Sequence, residues 1–179
     1  MQYVHFSRGI DPQSSHDLIT ALLGIANSQD HDITLFMNSN GGNVVAGIHC
    51  HNMIRSLDIN LTTHNVGNVD SIANVIFLAG DQRLCSPPST FMFHSVGFDQ
   101  PGPVRLEERN LRQWLDSVVA DNKRMGGIIA GRTNLTERRA GALFREQRVR
   151  DADWALRHGF VHEIAHPQIP AQTIIIQLI

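Results

Sequence analysis

Three places in the chain carry groups that could act together on a carbonyl carbon. Gly41-Gly42 follows an apolar run, and without side chains to block the approach its backbone N–H groups can turn toward one shared point. Ser71 stands at the start of an apolar, helix-like stretch, where unpaired N–H groups and the helix dipole favour a negative oxygen. His94 closes a short apolar run soon afterwards, where a parallel α/β arrangement can bring its ring back beside the serine. Such a set could perform nucleophilic attack by the serine hydroxyl, with the imidazole as general base and the N–H groups holding the oxyanion. Each feature also has an ordinary reading: a Gly-Gly is commonly a turn, a serine near a helix start a cap, and a histidine ending a strand a structural hydrogen-bonding group.

The elements that must position these groups read as strands alternating with helices. Residues 4–6 form a short strand; the Asp11-Pro12 turn, with Ser14 and Ser15, then starts a helix carrying Leu18, Leu22 and Ile25. Residues 33–37 form the next strand, ending at Asn38-Ser39-Asn40-Gly41-Gly42. Beyond it Val45, Ile48, His49 and Met53 fall on one face of a helix. A third strand spans 59–63, Val66-Gly67 makes a break, an apolar helix runs over 71–79 with Gly80 just past its end, and 91–94 is a fourth strand. From about 104 to 130 the chain is helical, with Leu106, Leu111, Leu115, Val118 and Val119 as an apolar stripe on a helix that could project from the domain. Thr136 opens another helix, Asp151 caps one containing Trp154 and Leu156, and Gly159 closes that one before a strand over 160–164. This order predicts an α/β layer structure with largely parallel strands, while the β-prone tail 173–179 is expected to pack as a strand on its own or a neighbouring subunit.

Composition narrows the function classes. At 179 residues, 42% apolar and 18% charged, the chain fits a single domain over 1–179 with a core that needs no cross-links. A net charge of -2 with dispersed Lys and Arg gives no phosphate-tracking surface, so nucleic acid is not an expected partner. The basic residues from 138 to 150 are interleaved with Glu137, Glu146 and apolar residues, as on a solvated helix face. Cys50 and Cys85 read as reduced core thiols, and neither a leader nor a bilayer-length apolar run is visible, so the expectation is a cytoplasmic chain with no membrane partner. The histidines show no tight ligand pattern; His49 and His51 lie two apart on a helix and do not face one another, so no metal site is expected.

Several segments, in order, resemble the Clp protease proteolytic subunit family from about residue 4 to 164. The stretch 33–42, Ile-Thr-Leu-Phe-Met-Asn-Ser-Asn-Gly-Gly, is similar to the family's strand ending in Asn-Ser-Pro-Gly-Gly, with Asn40 where the proline stands. Residues 67–73, Gly-Asn-Val-Asp-Ser-Ile-Ala, resemble the nucleophile segment, and 83–94 resembles the approach to the catalytic histidine. Residues 155–164, Ala-Leu-Arg-His-Gly-Phe-Val-His-Glu-Ile, resemble the closing Ala-x-x-x-Gly-Leu-Val-Asp-x-Ile.

The resemblance implies the fold shared by the Clp peptidase and crotonase groups, built from repeated β-β-α and βα units with a projecting long helix. It also implies a serine peptidase site with Ser71 as nucleophile, His94 as base, and oxyanion donors at Gly42 and Ile72. No cofactor or metal is implied; the substrate would be a peptide or unfolded protein, and the assembly rings of six or seven subunits, often stacked in pairs. Two departures bear on the site. The third triad position, usually Asp, falls on Gln147, which could fix the histidine's tautomer but cannot offset an imidazolium charge; Asp70 replaces a small residue beside the nucleophile. Glu146, Asp151 and Asp153 lie near that third position; one of them could reach His94 in its place if the loop is repacked, and the reading preferred is surface charges or helix caps. The chain starts almost directly at the first strand, without the family's axial segment that gates the pore and helps dock an unfoldase, which leaves the AAA+ partner open. Two rivals follow: a catalytically silent scaffold or regulatory subunit, and an acyl-CoA enzyme of the crotonase type.

Overall fold

A computed structural model of the chain describes residues 1–28, 31–97, 102, 105 and 107–179. Strand β1 (Gln2–Ser7) leads into helix α1 (Pro12–Ala26), whose start is set by a reciprocal cap: Asp11 accepts from the Ser14 N–H, and the Ser14 hydroxyl accepts from the Asp11 N–H. Leu18, Leu22 and Ile25 make the buried stripe of α1, as their spacing predicts. Strand β2 (Asp32–Ser39) pairs parallel with β1, and α2 (Val44–Arg55) follows, capped by Asn43.

On α2 the expected face is corrected. Val45, His49 and Met53 point outward, while Ala46, Gly47, Ile48, Cys50, His51 and Ile54 are buried. The small residues decide this, because Gly47 lets the helix press against the Ile72 side chain. Both cysteines are buried free thiols; burial pushes Cys50 up to about 12 and Cys85 to about 11, so they are inert core residues.

Strand β3 (Asn60–Asp70) organises the rest. The expected break at Val66-Gly67 is instead a bulge inside one long strand: β2 advances from Met37 to Ser39 while β3 advances from Asn65 to Val69. Asparagines stitch it, with Asn65 Oδ1 accepting from the Gly67 N–H and Asn38 Oδ1 from the Asn68 N–H. Before the bulge β3 pairs with β4 (Gln82–Cys85), a strand that sequence reading missed; after it β3 pairs with β5 (Thr90–Met92). The short helix α3 (Ala73–Phe77) joins them and starts two residues later than expected.

Helix α4 runs Glu108–Arg132, so the expected start at Val104, and Leu106 with it, lie outside the described residues. Then come α5 (Glu137–Glu146), capped by Thr136; β6 (Val149–Asp151), antiparallel to β5; α6 (Ala152–Arg157), capped by Asp151; β7 (Glu163–Ile164), shorter than the expected strand over 160–164; and β8 (Ile175–Leu178). The tail strand β8 pairs parallel with β1 of its own chain. The sheet order is β6-β5-β3-β2-β1-β8, with β4 and β7 branching from β3.

Behind β5 lies an aromatic cluster. Phe91 meets Phe77 at 5.3 Å and Phe160 at 5.1 Å between ring centroids, and Phe93 meets Phe160 at 5.6 Å and Trp154 at 5.8 Å. Buried Arg83 donates to the carbonyls of Gly80, Arg132, Gly159 and Phe160, tying the α3, α4 and α6 ends together. The basic stretch of 138–150 is mostly exposed, but Arg150 lies over the Trp154 ring at 5.2 Å and pairs with Glu146, so its last member is packed.

His51 Nδ1 donates to the Val75 carbonyl, 2.7 Å away, and His64 Nε2 to the Ala165 carbonyl, 3.0 Å away. Burial, before any charge, holds both below the ordinary 6.5. Folded, they resist a proton that the unfolded chain takes up near 6.5, so stability is full above that value and declines as pH falls through it. Urea denaturation at about pH 7.5 and about pH 5.5 should give a lower midpoint at the acid value. A His64→Gln variant should flatten the difference; an unchanged midpoint in the unsubstituted chain would contradict this account.

Candidate active site

β3 delivers Ser71 to the edge where β5 ends. The serine backbone sits at φ 56, a left-handed conformation that costs a non-glycine residue about 1–2 kcal/mol, between the end of β3 and the start of α3. Hydrogen bonds hold it there: the Ser71 N–H donates to the Met92 carbonyl at 2.8 Å, and the Ser71 carbonyl accepts from the Asn74 N–H at 3.2 Å and from Asn74 Nδ2 at 3.0 Å. Asn74 Nδ2 also donates to the Met92 carbonyl at 2.8 Å. One buried amide thus clasps the serine turn to β5. Sequence reading missed Asn74, although a lone polar residue inside an apolar run was its signal.

The Gly41-Gly42 turn closes over the serine. A Cβ on Gly41, at φ 84, would come within 2.7 Å of the Ser71 Cβ, and one on Gly42, at φ 146, within 2.2 Å of the Ile10 carbonyl oxygen. The Ile10 N–H donates to the Gly41 carbonyl and the Asn43 N–H to the Ile10 carbonyl, so in this parallel bridge the Gly42 N–H turns away from Ile10. Among the described residues neither the Gly42 N–H nor the Ile72 N–H has a hydrogen-bond acceptor, as donors reserved for a developing oxyanion would require.

His94 follows β5 by two residues and is half-buried. Because β5 runs parallel to the end of β3, with Asp70 opposite Met92, Ser71 and His94 leave the same ends of adjacent strands. His94 Nδ1 lies 2.9 Å from the Ser95 carbonyl oxygen. A carbonyl only accepts, so Nδ1 carries the hydrogen and Nε2 keeps the lone pair a base needs.

Gln147 is exposed at the C-terminus of α5, in a left-handed turn at φ 49. The β5–β6 pairing, Met92 with Val149, continues to Phe93, whose N–H donates to the Arg148 carbonyl, and Gln147 is the residue before Arg148. Among the described residues the Gln147 side chain makes no hydrogen bond to the ring. Asp151 caps α6 through the Trp154 N–H, Glu146 pairs with Arg150 and Arg139, and Asp153 is exposed, in keeping with caps and surface charges.

Asp70 is the carboxylate nearest in sequence to Ser71. Desolvation raises it above the ordinary 3.8, against the opposing pull of the Asn68 amide, the Met92 N–H and the His94 charge.

The layered sheet, the bulged β3 and the serine turn define an α/β protein in which Ser71 and His94 leave neighbouring strand ends, with the Gly42 and Ile72 N–H groups lacking acceptors among the described residues. Residues 2–168 match the Clp protease family. The chain is 27% identical over 162 residues to "ATP-dependent Clp protease proteolytic subunit 2" of Gluconobacter oxydans, covering 88% of this chain and 71% of the relative. It is 26% identical over 163 residues to the protein of the same name from Pseudomonas aeruginosa, covering 90% and 79%. The solved structure of a ClpP1 mutant from Listeria monocytogenes superposes with a TM-score of 0.82 at 22% identity, over 93% of this chain and 92% of that one. The chain belongs to the Clp protease family. That match does not favour the acyl-CoA reading, and no helix among the described residues is long and apolar enough to cross a membrane.

Replacing Asn74 by Leu removes the clasp but leaves each carbonyl one other partner, so the expected loss is about 1–2 kcal/mol of stability. Chemical denaturation would read it; a variant as stable as the unsubstituted chain would mean that the serine turn holds itself.

Proposed function

We propose that the chain is a serine-type peptidase subunit, with Ser71 as nucleophile and His94 as general base. The reading is carried by one observation: Ser71 stands in a left-handed turn between two main-chain N–H groups, of Gly42 and Ile72, that lack acceptors among the described residues. In the reaction, the Ser71 hydroxyl proton moves to His94 Nε2 as Oγ attacks the peptide carbonyl carbon. The carbonyl oxygen becomes an oxyanion held by the two N–H groups. The imidazolium then gives its proton to the leaving amine as the C–N bond breaks, and water, deprotonated by the same ring, releases the acyl group from Ser71. Gln147, the residue before the Arg148 that bonds Phe93, would act as the third, neutral member. The substrate class is a peptide or unfolded protein chain.

A ring assembly of six or seven subunits, which can stack in pairs, completes the proposal. Its support within this chain is the face of α4, where Leu111, Leu115 and Val119 are 48%, 61% and 56% exposed, a row of apolar side chains that a single subunit leaves in water. Leu115→Glu is expected to shift the assembled species to smaller ones on size-exclusion chromatography with light scattering; an unchanged mass would remove α4 from the interface.

One observation favours a silent scaffold instead: the group at His94 Nδ1, the Ser95 carbonyl, is neutral, and the residue at 147 is an amide in place of a carboxylate. A fluorophosphonate separates the readings, since it forms an Oγ–P bond with loss of fluoride only on an activated serine. The peptidase reading expects labelling at Ser71 and none in Ser71→Ala. Absence of labelling over hours at neutral pH would decide for the scaffold.

A further inference from the structure

The last residue of β3 carries a carboxylate that the serine–histidine pair does not account for. Asp70 Oδ2 accepts from Asn68 Nδ2 at 2.8 Å, and the same nitrogen lies 2.8 Å from Asn40 Oδ1. With two hydrogens on that nitrogen, one amide joins the turn that carries Gly41-Gly42 to the strand end that carries Ser71. Asp70 Oδ1 is buried and has no hydrogen-bond partner among the described residues. A carboxylate oxygen left so is costly unless a charge compensates it. The neutral groups against Asp70 are Asn68 on its own strand and the main chain of Met92 on β5, and His94 follows two residues past the Met92 that stands opposite Asp70, where its charge would favour the carboxylate. His94, for its part, has only the neutral Ser95 carbonyl at Nδ1.

We propose that Asp70 is the positioning residue that balances the imidazolium charge in this site, acting on His94 from the nucleophile's own strand in place of a carboxylate at the third triad position. The proposal rests on the serine-peptidase reading of Ser71 and His94. When the Ser71 proton moves to His94 Nε2, the ring gains a positive charge. A fixed carboxylate across the ends of β3 and β5 stabilises that charge without itself taking the proton. The Asn68 and Asn40 amides keep it aimed. Because desolvation raises Asp70, this help is withdrawn at a less acidic pH than for an exposed aspartate.

The test is the rate at which a fluorophosphonate labels Ser71, followed from about pH 5 to about pH 8 in the unsubstituted chain and in Asp70→Asn, which keeps shape and the bond to Asn68. The expected result is a rate about 10–100-fold lower in Asp70→Asn at neutral pH. The acid side of the profile should also be steeper in the unsubstituted chain, where two groups take up protons, than in the variant, where one does. A structural spacer would move neither. Rates within about twofold and profiles of equal slope overturn the proposal. If Asp70→Asn does not fold, Asn68→Ala, which keeps the carboxylate and removes its tether, should label about 3–10-fold more slowly, and a rate within about twofold likewise overturns it. Labelled unsubstituted protein with an unaffected variant sinks this inference alone; an unlabelled unsubstituted protein sinks the serine-peptidase reading and this inference with it.

Discussion

Two neighbouring strands that end together hold the site, and a short set of hydrogen bonds makes them end together. The Ser71 N–H reaches the Met92 carbonyl, and the Asn74 side chain reaches both the Ser71 and the Met92 carbonyls. Without this clasp the serine would have little reason to stay at φ 56, because the left-handed turn is unfavourable for any residue with a Cβ. With it, the turn points the serine toward the end of β5, where His94 emerges. The bulge in β3 makes the clasp possible, since it moves the strand from pairing with β4 to pairing with β5 and so frees its last residues to meet Met92.

Packing behind this edge is rigid for the same purpose. Phe77, Phe91, Phe93 and Phe160 are fully buried and in mutual ring contact, so β5 cannot shift without disturbing the aromatic core. Arg83 adds a polar pin: its guanidinium meets carbonyls from three connections, and burial lowers it to about 10. A buried cation is tolerable because the guanidinium donates to four carbonyl oxygens and to His162 Nε2. The Gly41-Gly42 turn closes the opposite side, where any side chain would strike Ser71 or Ile10.

The electrostatic arrangement differs from the one the family resemblance implies. His94 Nδ1 meets the neutral Ser95 carbonyl, while Asp151 caps α6, Glu146 is ion-paired and Asp153 lies exposed. Negative charge instead sits beside the nucleophile, at Asp70, joined through Asn68 to Asn40. Two of the three substituted positions of the resemblance, 40 and 70, are therefore one connected feature of the fold.

The amino-acid sequence by itself determined the alternation of strands and helices, the helix starts at Asp11, Thr136 and Asp151, and the ordered motifs around Gly42, Ser71 and His94, because these are local: a cap acts over three residues and an apolar period over one or two turns. It misplaced the buried face of α2 and the break at Val66-Gly67, where small residues and asparagine side chains respond to neighbours distant in sequence. It gave no sign of β4 as a strand, and it marked Asn74 only as a lone polar residue inside an apolar run, with no sign of what that amide clasps. Those were decided by tertiary structure alone, since a hydrogen bond between residues far apart in the chain, such as Asn74 to Met92, depends on how strands are laid side by side, and no local preference encodes that choice.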